Sequence, residues 1–219
     1  MILKKIGLVT LVMLITIELF SQAFIGFKGG YNALRLSADS VMNKELIYGY
    51  GGGLVFKQFE TKAVGLQFEV NYVQKGWKII TLDSAVYQRT MNYIEIPAFM
   101  HLNITLNRTK IYFNAGPELD ILVSENSPVT EPLGADLSNE RLYNGTLHKL
   151  SYGLAGGLGI MQLFSFGAIQ LEVRATQSLS KVIKLDELTQ FNYPQNQTFG
   201  ISLAYMHAIG KPRKNKVTD

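Results

Sequence analysis

The sequence predicts an all-β protein, an eight-stranded antiparallel up-and-down transmembrane β-barrel. Apolar and polar residues alternate with a period of two through most of the chain after residue 23, which is the pattern of strands with two different faces. Tight turns alternate with long polar connections between these segments. An even number of strands, short turns at one rim and long loops at the other are typical of outer-membrane barrels.

The N-terminus has the layout of a secretory signal peptide. Two lysines precede an uncharged apolar run over residues 6–17, and small residues follow at Ser21 and Ala23. This run of 12 residues is shorter than the roughly 18–20 residues that a transmembrane helix needs, so we expect export and cleavage near Ala23. The predicted domains are a signal peptide over 1–23, an outer-membrane barrel over 24–209 and a basic periplasmic tail over 210–219.

Eight segments show the alternation. It is clearest from Val64 to Tyr72, where Val, Leu, Phe and Tyr side chains point one way and Gly, Gln, Glu and Asn the other. Three more segments also show it clearly, and four are weaker and rich in glycine. The clear segments are Val64–Tyr72, Ile94–Ile104, Phe113–Ile121 and Ile169–Thr176, and the weaker ones are Phe24–Leu36, Tyr48–Phe59, Leu150–Phe164 and Thr198–His207.

The connections alternate in length, which sets both termini on the side of the short turns, the periplasmic side of an outer-membrane barrel. We expect the longest loops, Glu125–Lys149 and Ser178–Gln197, to carry any recognition outside the cell. The predicted tight turns are Glu60–Lys62, Asn107–Thr109 and Ser165–Gly167, and the predicted long loops are Ser37–Ile47, Ile80–Thr90, Glu125–Lys149 and Ser178–Gln197.

A soluble lipocalin-like barrel has the same strand number but turns its apolar face inward around a ligand. Composition favours the membrane alternative, because the polar face is dominated by glycine and small amides, whereas a water-exposed surface is about 25–35% charged. Aromatic residues near the strand ends predict two interfacial girdles. One girdle is Phe24, Phe27, Phe56, Phe59, Phe113, Phe164 and Phe166 at the short turns, and the other is Tyr48, Tyr50, Trp77, Tyr93 and Tyr152 at the long loops.

The polar face brings ionisable side chains into the predicted lumen. Unpaired charges there are costly, so we expect them to pair across strands as a polar plug, with a proton or ion path as the alternative. Pro97 and Pro117 fall within strands, where a missing backbone donor predicts β-bulges. The predicted lumen cluster is Lys28, Glu69, Glu95, His101, Glu118, Asp120, Glu172 and Arg174, with Lys57 on the same face.

Three segments carry a family resemblance: Tyr72-Val73-Gln74-Lys75-Gly76, Asn92-Tyr93-Ile94-Glu95-Ile96-Pro97 and Asn114-Ala115-Gly116-Pro117. With the opening Gly26–Asn32, they resemble the PorT-like, porin-like outer-membrane β-barrel family. The resemblance implies an eight-stranded barrel in the outer membrane and says little about activity, since only some relatives belong to a protein-secretion apparatus. The basic tail after His207 departs from members that end on an aromatic-rich last strand.

Several function classes are excluded or disfavoured. The chain has no cysteine, which excludes disulfides, thiolate metal sites and cysteine nucleophiles. The net charge of +4 comes from the two ends, so nucleic-acid binding is not indicated. None of the three histidines has a catalytic or metal-ligand motif around it. We therefore expect a monomeric, non-enzymatic outer-membrane protein without cofactor or metal. Its role is structural or in interaction, and it contacts lipid and possible protein partners. The alternatives are a component of a protein-secretion apparatus, a small-solute channel and a soluble ligand-binding barrel.

Overall fold

The structure is a computed structural model that describes residues 22–37, 43–45, 47–61, 63–80, 86–126, 129–131, 146–180, 183–184 and 195–209. The predicted signal peptide lies outside the described residues except for Gln22 and Ala23, which begin the first strand. The predicted tail 210–219 also lies outside them, as do most residues of the two longest predicted loops. No helix in the described ranges is long and apolar enough to cross a membrane.

Eight long strands form a closed antiparallel barrel, as the sequence predicts. Each long strand pairs with the next one along the chain, and the last pairs with the first, Ala23 opposite Ile209. This is up-and-down topology without a free sheet edge. The eight strands are β1 (Gln22–Ser37), β3 (Ile47–Phe59), β4 (Val64–Ile80), β5 (Val86–Leu106), β6 (Thr109–Glu125), β9 (Leu150–Phe164), β10 (Gly167–Ser178) and β12 (Gln195–Ile209).

The two ends of the barrel differ. Three tight turns and the strand ends at Gln22 and Ile209 share one end, which we call the short-turn end. Asn107, with φ 57°, and Gly167, with φ 149°, supply the left-handed backbone at two of these turns. Four short strands lie at the opposite, long-connection end: β2 (Asn43–Glu45) on β4, β7 (Val129–Glu131) on β5, and β8 (Thr146–Leu147) paired with β11 (Ile183–Lys184).

Three strands are longer than a bilayer requires, and their extra length lies at the long-connection end. β5 has 21 residues and β4 and β6 have 17 each, whereas a strand spans a bilayer with about 9–11. The prediction of a long loop at Ile80–Thr90 is therefore wrong, because β4 reaches Ile80 and β5 already begins at Val86. A strand segment outside a bilayer needs no lipid-facing apolar side chains, so the loss of apolar alternation after Tyr72 did not mark the end of the strands.

Pro97 and Pro117 lie in continuous strands, and neither produces the predicted bulge. The ladder between β4 and β5 lacks the pairs at Pro97 and Ile96, and the ladder between β5 and β6 lacks the pairs at Pro117 and its neighbour, yet the register is the same on both sides of each gap. Each proline thus removes local pairing without adding a residue. The register of the β5–β6 pair shifts instead between Asn92 and Tyr93.

Side chains alternate between the lumen and the outer face. Along β10, Ile169, Leu171 and Val173 are exposed while Gln170 and Glu172 are buried, which is the polarity of a barrel with an apolar outer face. The buried core therefore lies inside the barrel, where side chains of all eight long strands converge.

Candidate functional site

The lumen contains all eight ionisable residues of the predicted cluster. Their side chains are buried or nearly so, and five of the eight long strands supply them. Alternate residues of each strand point into the lumen, and all eight residues occupy such inward-pointing positions. Which of them pair could not be predicted from the sequence, and the structure divides them into groups at different depths.

A central network joins opposite walls of the barrel. The guanidinium of Arg174 on β10 donates to both oxygens of Glu69 on β4, at 2.9 and 2.6 Å. Its Nε donates to Glu172 at 2.7 Å. The Lys28 ammonium on β1 lies 3.0 Å from Glu69 and 3.8 Å from Glu172. We call these four residues the central network; its two cations and two carboxylates neutralise one another.

Neutral side chains complete the coordination of the two carboxylates. Asn71 donates to Glu69 at 2.8 Å, and Gln67 donates to the other Glu69 oxygen. On the opposite wall, Glu172 accepts from the Tyr112 hydroxyl at 3.0 Å and from Asn114 at 2.7 Å. Buried charges are tolerated when they are paired and hydrogen-bonded, and both carboxylates meet this condition.

A second group lies nearer the long-connection end. The Lys75 ammonium on β4 lies 3.1 Å from Glu95, 3.6 Å from Glu118 and 2.9 Å from Asp120. We call the three carboxylates the acidic triad; each can offer an oxygen within 4.8 Å of the others. Arg174 lies 4.0 Å from Glu95 and so connects the triad to the central network.

His101 lies on the other side of the central network, among aromatic rings. Its Nδ1 is 2.7 Å from the Asn114 side-chain oxygen, and its ring contacts Phe59 and Tyr112 at centroid distances of 5.3 and 4.7 Å. Lys57 lies 4.5 Å from the Tyr112 centroid and donates to Gln170. Cation–π contacts of this kind stabilise a desolvated ammonium.

Apolar side chains fill the lumen at the short-turn end. We call this group the apolar plug: Phe24, Val55, Phe59, Tyr112, Met161, Ala168, Ala204 and Met206. Phe24 and Phe59 pack edge to face at 5.9 Å. The predicted girdle position is wrong for these two residues and for Tyr93, since all three are buried inside. Their position near a rim suggested a girdle, but the alternation along the strand determines which way a side chain points. Phe24 is an even number of residues from the inward-pointing Lys28, and Phe59 is an even number of residues from the inward-pointing Lys57.

Other predicted girdle residues do lie on the outer face. Phe164 and Phe166 stack at 5.0 Å at the short-turn end, and the Tyr205 ring stacks on Phe166 at 6.3 Å. Tyr48, Tyr50 and Tyr152 are exposed toward the other end, as are Phe27 and Phe113 toward the short turns. Aromatic side chains at these two levels suit the membrane interfaces.

A cavity with several polar lining residues borders both the central network and Glu95 of the triad. Its volume is about 40 Å³, which is room for two or three waters by the usual minimum of about 10–15 Å³ each. Gly30, Gly51 and Gly200 line it, and a Cβ at each of them would come within 2.3–2.5 Å of a neighbouring atom. Its polar lining includes Lys28, Asn71, Glu95, Arg174, Thr176 and Thr198.

Sequence reasoning missed several lumen residues, among them Lys75, Lys110 and Tyr112. Lys75 continues the inward parity of Glu69 but lies beyond Tyr72, where the apolar alternation was taken to end. Lys110, whose ammonium lies 3.9 Å from the Phe59 centroid, and Tyr112 precede the predicted start of their strand at Phe113. Extending each parity by a few residues would have found all three.

The comparisons with known proteins agree with this architecture. Residues 20–184 match the family model described as an outer membrane protein beta-barrel domain. The chain belongs to this family. Membership in the outer membrane protein beta-barrel domain family is a broader assignment than the PorT-like resemblance, which remains a prediction. No curated protein matches the chain.

Solved structures resemble the chain in fold. OprG from Pseudomonas aeruginosa aligns with a TM-score of 0.53 at 13% identity, covering 88% of this chain and 98% of OprG. AlkL in lipid bilayers aligns at 0.48 and 10% identity over 88% and 92%. Ail from Yersinia pestis aligns at 0.43 and 11% identity over 84% and 98%. At such identities the likeness to OprG bears on the fold alone. The match to the family model identifies the chain as an outer-membrane β-barrel protein.

Proposed function

We propose that this protein is a closed outer-membrane barrel that carries an extracellular interaction surface and has no enzymatic activity. The observation that supports the proposal is the filling of the lumen at two successive depths. The apolar plug closes the short-turn end, and the central network joins opposite walls above it. Eight strands enclose an interior just wide enough for side chains to fill, so both groups obstruct passage.

The extended wall supports the interaction role. β4, β5 and β6 continue beyond the length that a bilayer requires, and β2 and β7 add to their edges. In our proposal the short-turn end faces the periplasm, so the extension and the loops at 126–149 and 179–194 face the outside. Long loops on a rigid scaffold commonly carry binding, and a monomeric barrel presents them without further subunits.

The absence of enzymatic activity is also a proposal, and the surroundings of His101 support it. Among the described residues its contacts are Asn114, Phe59 and Tyr112, and none of these forms a nucleophile–base pair with it. His207, on the outer face, contacts the Phe166 carbonyl oxygen.

Planar-bilayer recordings test the closed lumen. The purified monomer should show little or no unitary conductance, and the double variant Phe24→Ala with Phe59→Ala should raise it by opening the plug. Phe27→Ala is the matched control, because Phe27 is on the same strand as Phe24 but 71% exposed on the outer face. Stable openings of the unaltered monomer would overturn the closed barrel and favour a small-solute channel.

A role in a protein-secretion apparatus is the second candidate, and it draws on the PorT-like resemblance. The most specific element of that resemblance alternates between the two faces: Tyr93, Glu95 and Pro97 are buried, whereas Ile96 is exposed. Residues that build a barrel wall explain this element without a partner. Deleting the gene should therefore leave the secreted proteins unchanged, and their loss from the medium would instead support the secretion role.

The proposal includes export with removal of the signal peptide. N-terminal sequencing of the protein isolated from outer membranes should begin near Phe24. A mature chain that still begins at Met1 would contradict cleavage and would leave an apolar segment attached to β1.

A further inference from the structure

The outer face of the barrel carries a groove of about 640 Å³, within the range of about 300–1,000 Å³ that small-molecule sites occupy. This groove, which we call the outer groove, crosses six adjacent strands from β3 to β6. The outward-pointing residues that line it are small, aliphatic or aromatic. They include one from each strand, in order across the wall: Tyr48, Ala33, Phe199, Ala175, Gly156 and Phe113.

The outer groove follows a line of small residues across four strands. Ala33 on β1 lies opposite Phe199 on β12. Phe199 lies opposite Ala175 on β10, which in turn lies opposite Gly156 on β9. Two residues nearer the short-turn end, larger side chains project from β9 and β10, namely Leu158 at 59% and Val173 at 53% exposed. The wall is therefore recessed at Gly156 and Ala175 beside a raised aliphatic edge.

Nothing within the chain requires the missing side chain at Gly156. A Cβ at this position would have no heavy atom closer than 3.8 Å. Lumen glycines are different, because a Cβ there would clash with a backbone oxygen of the neighbouring strand, as it would at Gly26, Gly30 and Gly116. Glycine in the interior of a strand weakens it. The open space at Gly156 is thus available to a group from outside the chain.

Polar residues mark the upper limit of the outer groove. Gln177 on β10 and Gln197 on β12 are hydrogen-bonded to each other at 2.8 Å. They occupy the next outward positions toward the long-connection end, two residues beyond Ala175 and Phe199. From Ala175 toward the short-turn end, every outward position of β10 as far as residue 169 is apolar. The groove therefore begins where the polar part of the outer face ends, which is the hydrocarbon level next to the membrane interface.

We propose that the outer groove binds one acyl chain of a membrane lipid, whose polar head lies near Gln177, Gln197 and the exposed Tyr48. The outer face of an outer-membrane barrel contacts lipid, so hydrocarbon is the chemistry continuous with this surface. Within lipid, packing rather than the hydrophobic effect selects between apolar contacts. A chain in the recess gains dispersion contacts along Leu158 and Val173 that a flat wall does not offer. Under the orientation proposed above the lipid belongs to the outer leaflet, but its binding depends neither on that orientation nor on a closed lumen.

Native mass spectrometry tests this site on the mature protein. The protein is refolded into vesicles of dipalmitoyl phosphatidylglycerol, extracted in detergent and released from the micelle in the spectrometer. We expect a monomer that retains one lipid. Gly156→Leu and Ala175→Leu place a branched side chain in the recess and should each abolish the retained lipid, because leucine then occupies the space of the acyl chain.

Gly29→Leu is the matched control. Gly29 is also exposed on the outer face, and a Cβ there would have no heavy atom closer than 4.0 Å, but this residue does not line the outer groove. The same substitution should therefore leave lipid retention unchanged. A wild-type monomer without retained lipid would overturn the proposal, and so would equal retention by Gly156→Leu, Ala175→Leu and Gly29→Leu. A wild-type dimer that Gly156→Leu separates would assign the groove to a second copy of the chain and would also overturn it.

A measurement on the unaltered protein covers the case in which a leucine variant does not fold. Phosphatidylglycerol with hexanoyl chains, added to the extracted protein, should not displace the retained palmitoyl lipid, whereas an excess of a second long-chain lipid should. Equal displacement by both would mean that the headgroup alone is bound and would contradict an acyl-chain site. This result would leave the closed barrel untouched, since that proposal depends on conductance.

Discussion

Arg174 and Glu69 stand on opposite walls of the barrel and are joined by two parallel hydrogen bonds of 2.9 and 2.6 Å. They are 105 residues apart in the chain, on β10 and β4, which do not pair with each other. The bidentate geometry fixes both distance and orientation across the lumen. This contact therefore restrains the cross-section of the barrel as well as neutralising two charges.

Removing one partner of this pair should destabilise the barrel strongly. Glu69→Gln leaves the Arg174 guanidinium with Glu172 and with the more distant Glu95, 4.0 Å away. Breaking a buried pair in this way costs about 3–5 kcal/mol. The measurement is the free energy of unfolding from urea titrations of the protein refolded into bilayers. The double variant Glu69→Gln with Arg174→Met should lose less than the sum of the single losses, because it leaves no uncompensated charge at this pair.

Glu60→Gln is the control for the loss of a carboxylate charge. Glu60 lies exposed at a turn, where substitutions usually change stability by less than about 0.5 kcal/mol. Equal effects at Glu60 and Glu69, or strict additivity in the double variant, would mean that the cross-lumen pair contributes nothing specific.

The second prediction concerns the outer face. The same change from valine to arginine can be made at two positions that we expect to lie at different depths in the membrane. Val173 is 53% exposed and lies six residues beyond the start of β10, whereas Val123 is 56% exposed and lies near the far end of β6. Val173→Arg should cost about 2–4 kcal/mol in bilayers, and Val123→Arg about 0–1, since the cost of arginine falls toward the interface. Similar losses would contradict the assigned position of the membrane.

A third prediction concerns Gln170, which faces the lumen on the same strand as Val173. Its hydrogen bonds make even a polar substitution costly. Gln170 is 1% exposed, accepts from Lys57 at 2.5 Å and donates to Glu172 at 3.2 Å. Gln170→Asn shortens the side chain and should break at least one of these bonds, and because both partners are charged the loss should be about 1.5–3 kcal/mol. The same urea titrations should show this loss, and an unchanged free energy of unfolding would contradict the role of these bonds.

The sequence predicts those features of the barrel that depend on strand parity, which is the alternation of side chains between the two faces. It does not predict those that depend on the register between strands. Parity is local, so alternation was enough to predict that Gln170 points inward and Leu171 outward, and to collect the charged residues of the lumen. It also directs Phe24 and Phe59 inward, and our error there came from weighing aromatic type above parity.

Pairing across the lumen was beyond the sequence for a physical reason. Which inward residues meet depends on strand tilt and on the stagger of eight registers around the barrel. Arg174 could have met any inward carboxylate at a similar depth, and only the closed geometry selects Glu69. The extension of β5 through Gln88 and Arg89 was not predicted for another reason. A strand segment outside the bilayer needs no apolar outer face, so its sequence shows no alternation of apolar and polar residues.

The orientation of the barrel predicts which connections are open to the outside. Protease added to intact cells should cleave within residues 125–149 and spare the turn at 60–62, because the proposed topology exposes the long-connection end. The measurement is mass spectrometry of the released peptides. Permeabilised cells are the control, where the turn should become accessible. Cleavage of the long connection in permeabilised cells alone would reverse the assignment of sides.

The two prolines predict a local weakness in the wall. Pro97 interrupts the β4–β5 ladder and Pro117 the β5–β6 ladder, and both gaps fall on residues 96–99 of β5. Backbone amides without strand partners exchange hydrogen faster, so peptides covering 96–99 should exchange before those covering 100–106 of the same strand. Hydrogen-exchange mass spectrometry of the bilayer-reconstituted protein measures this difference.

Pro97→Ala should remove part of that weakness. Alanine supplies the backbone N–H that proline lacks, and the unchanged register on both sides of the gap leaves β4 in position to accept it. A net hydrogen bond contributes about 0.5–1.5 kcal/mol, so the variant should unfold at higher urea concentration and exchange more slowly over 96–99. Ile96→Val is the control on the same strand, since it changes a lipid-facing side chain without adding a donor. Faster exchange in Pro97→Ala than in the unaltered protein would indicate that the proline ring itself fits and stabilises this bend of the wall.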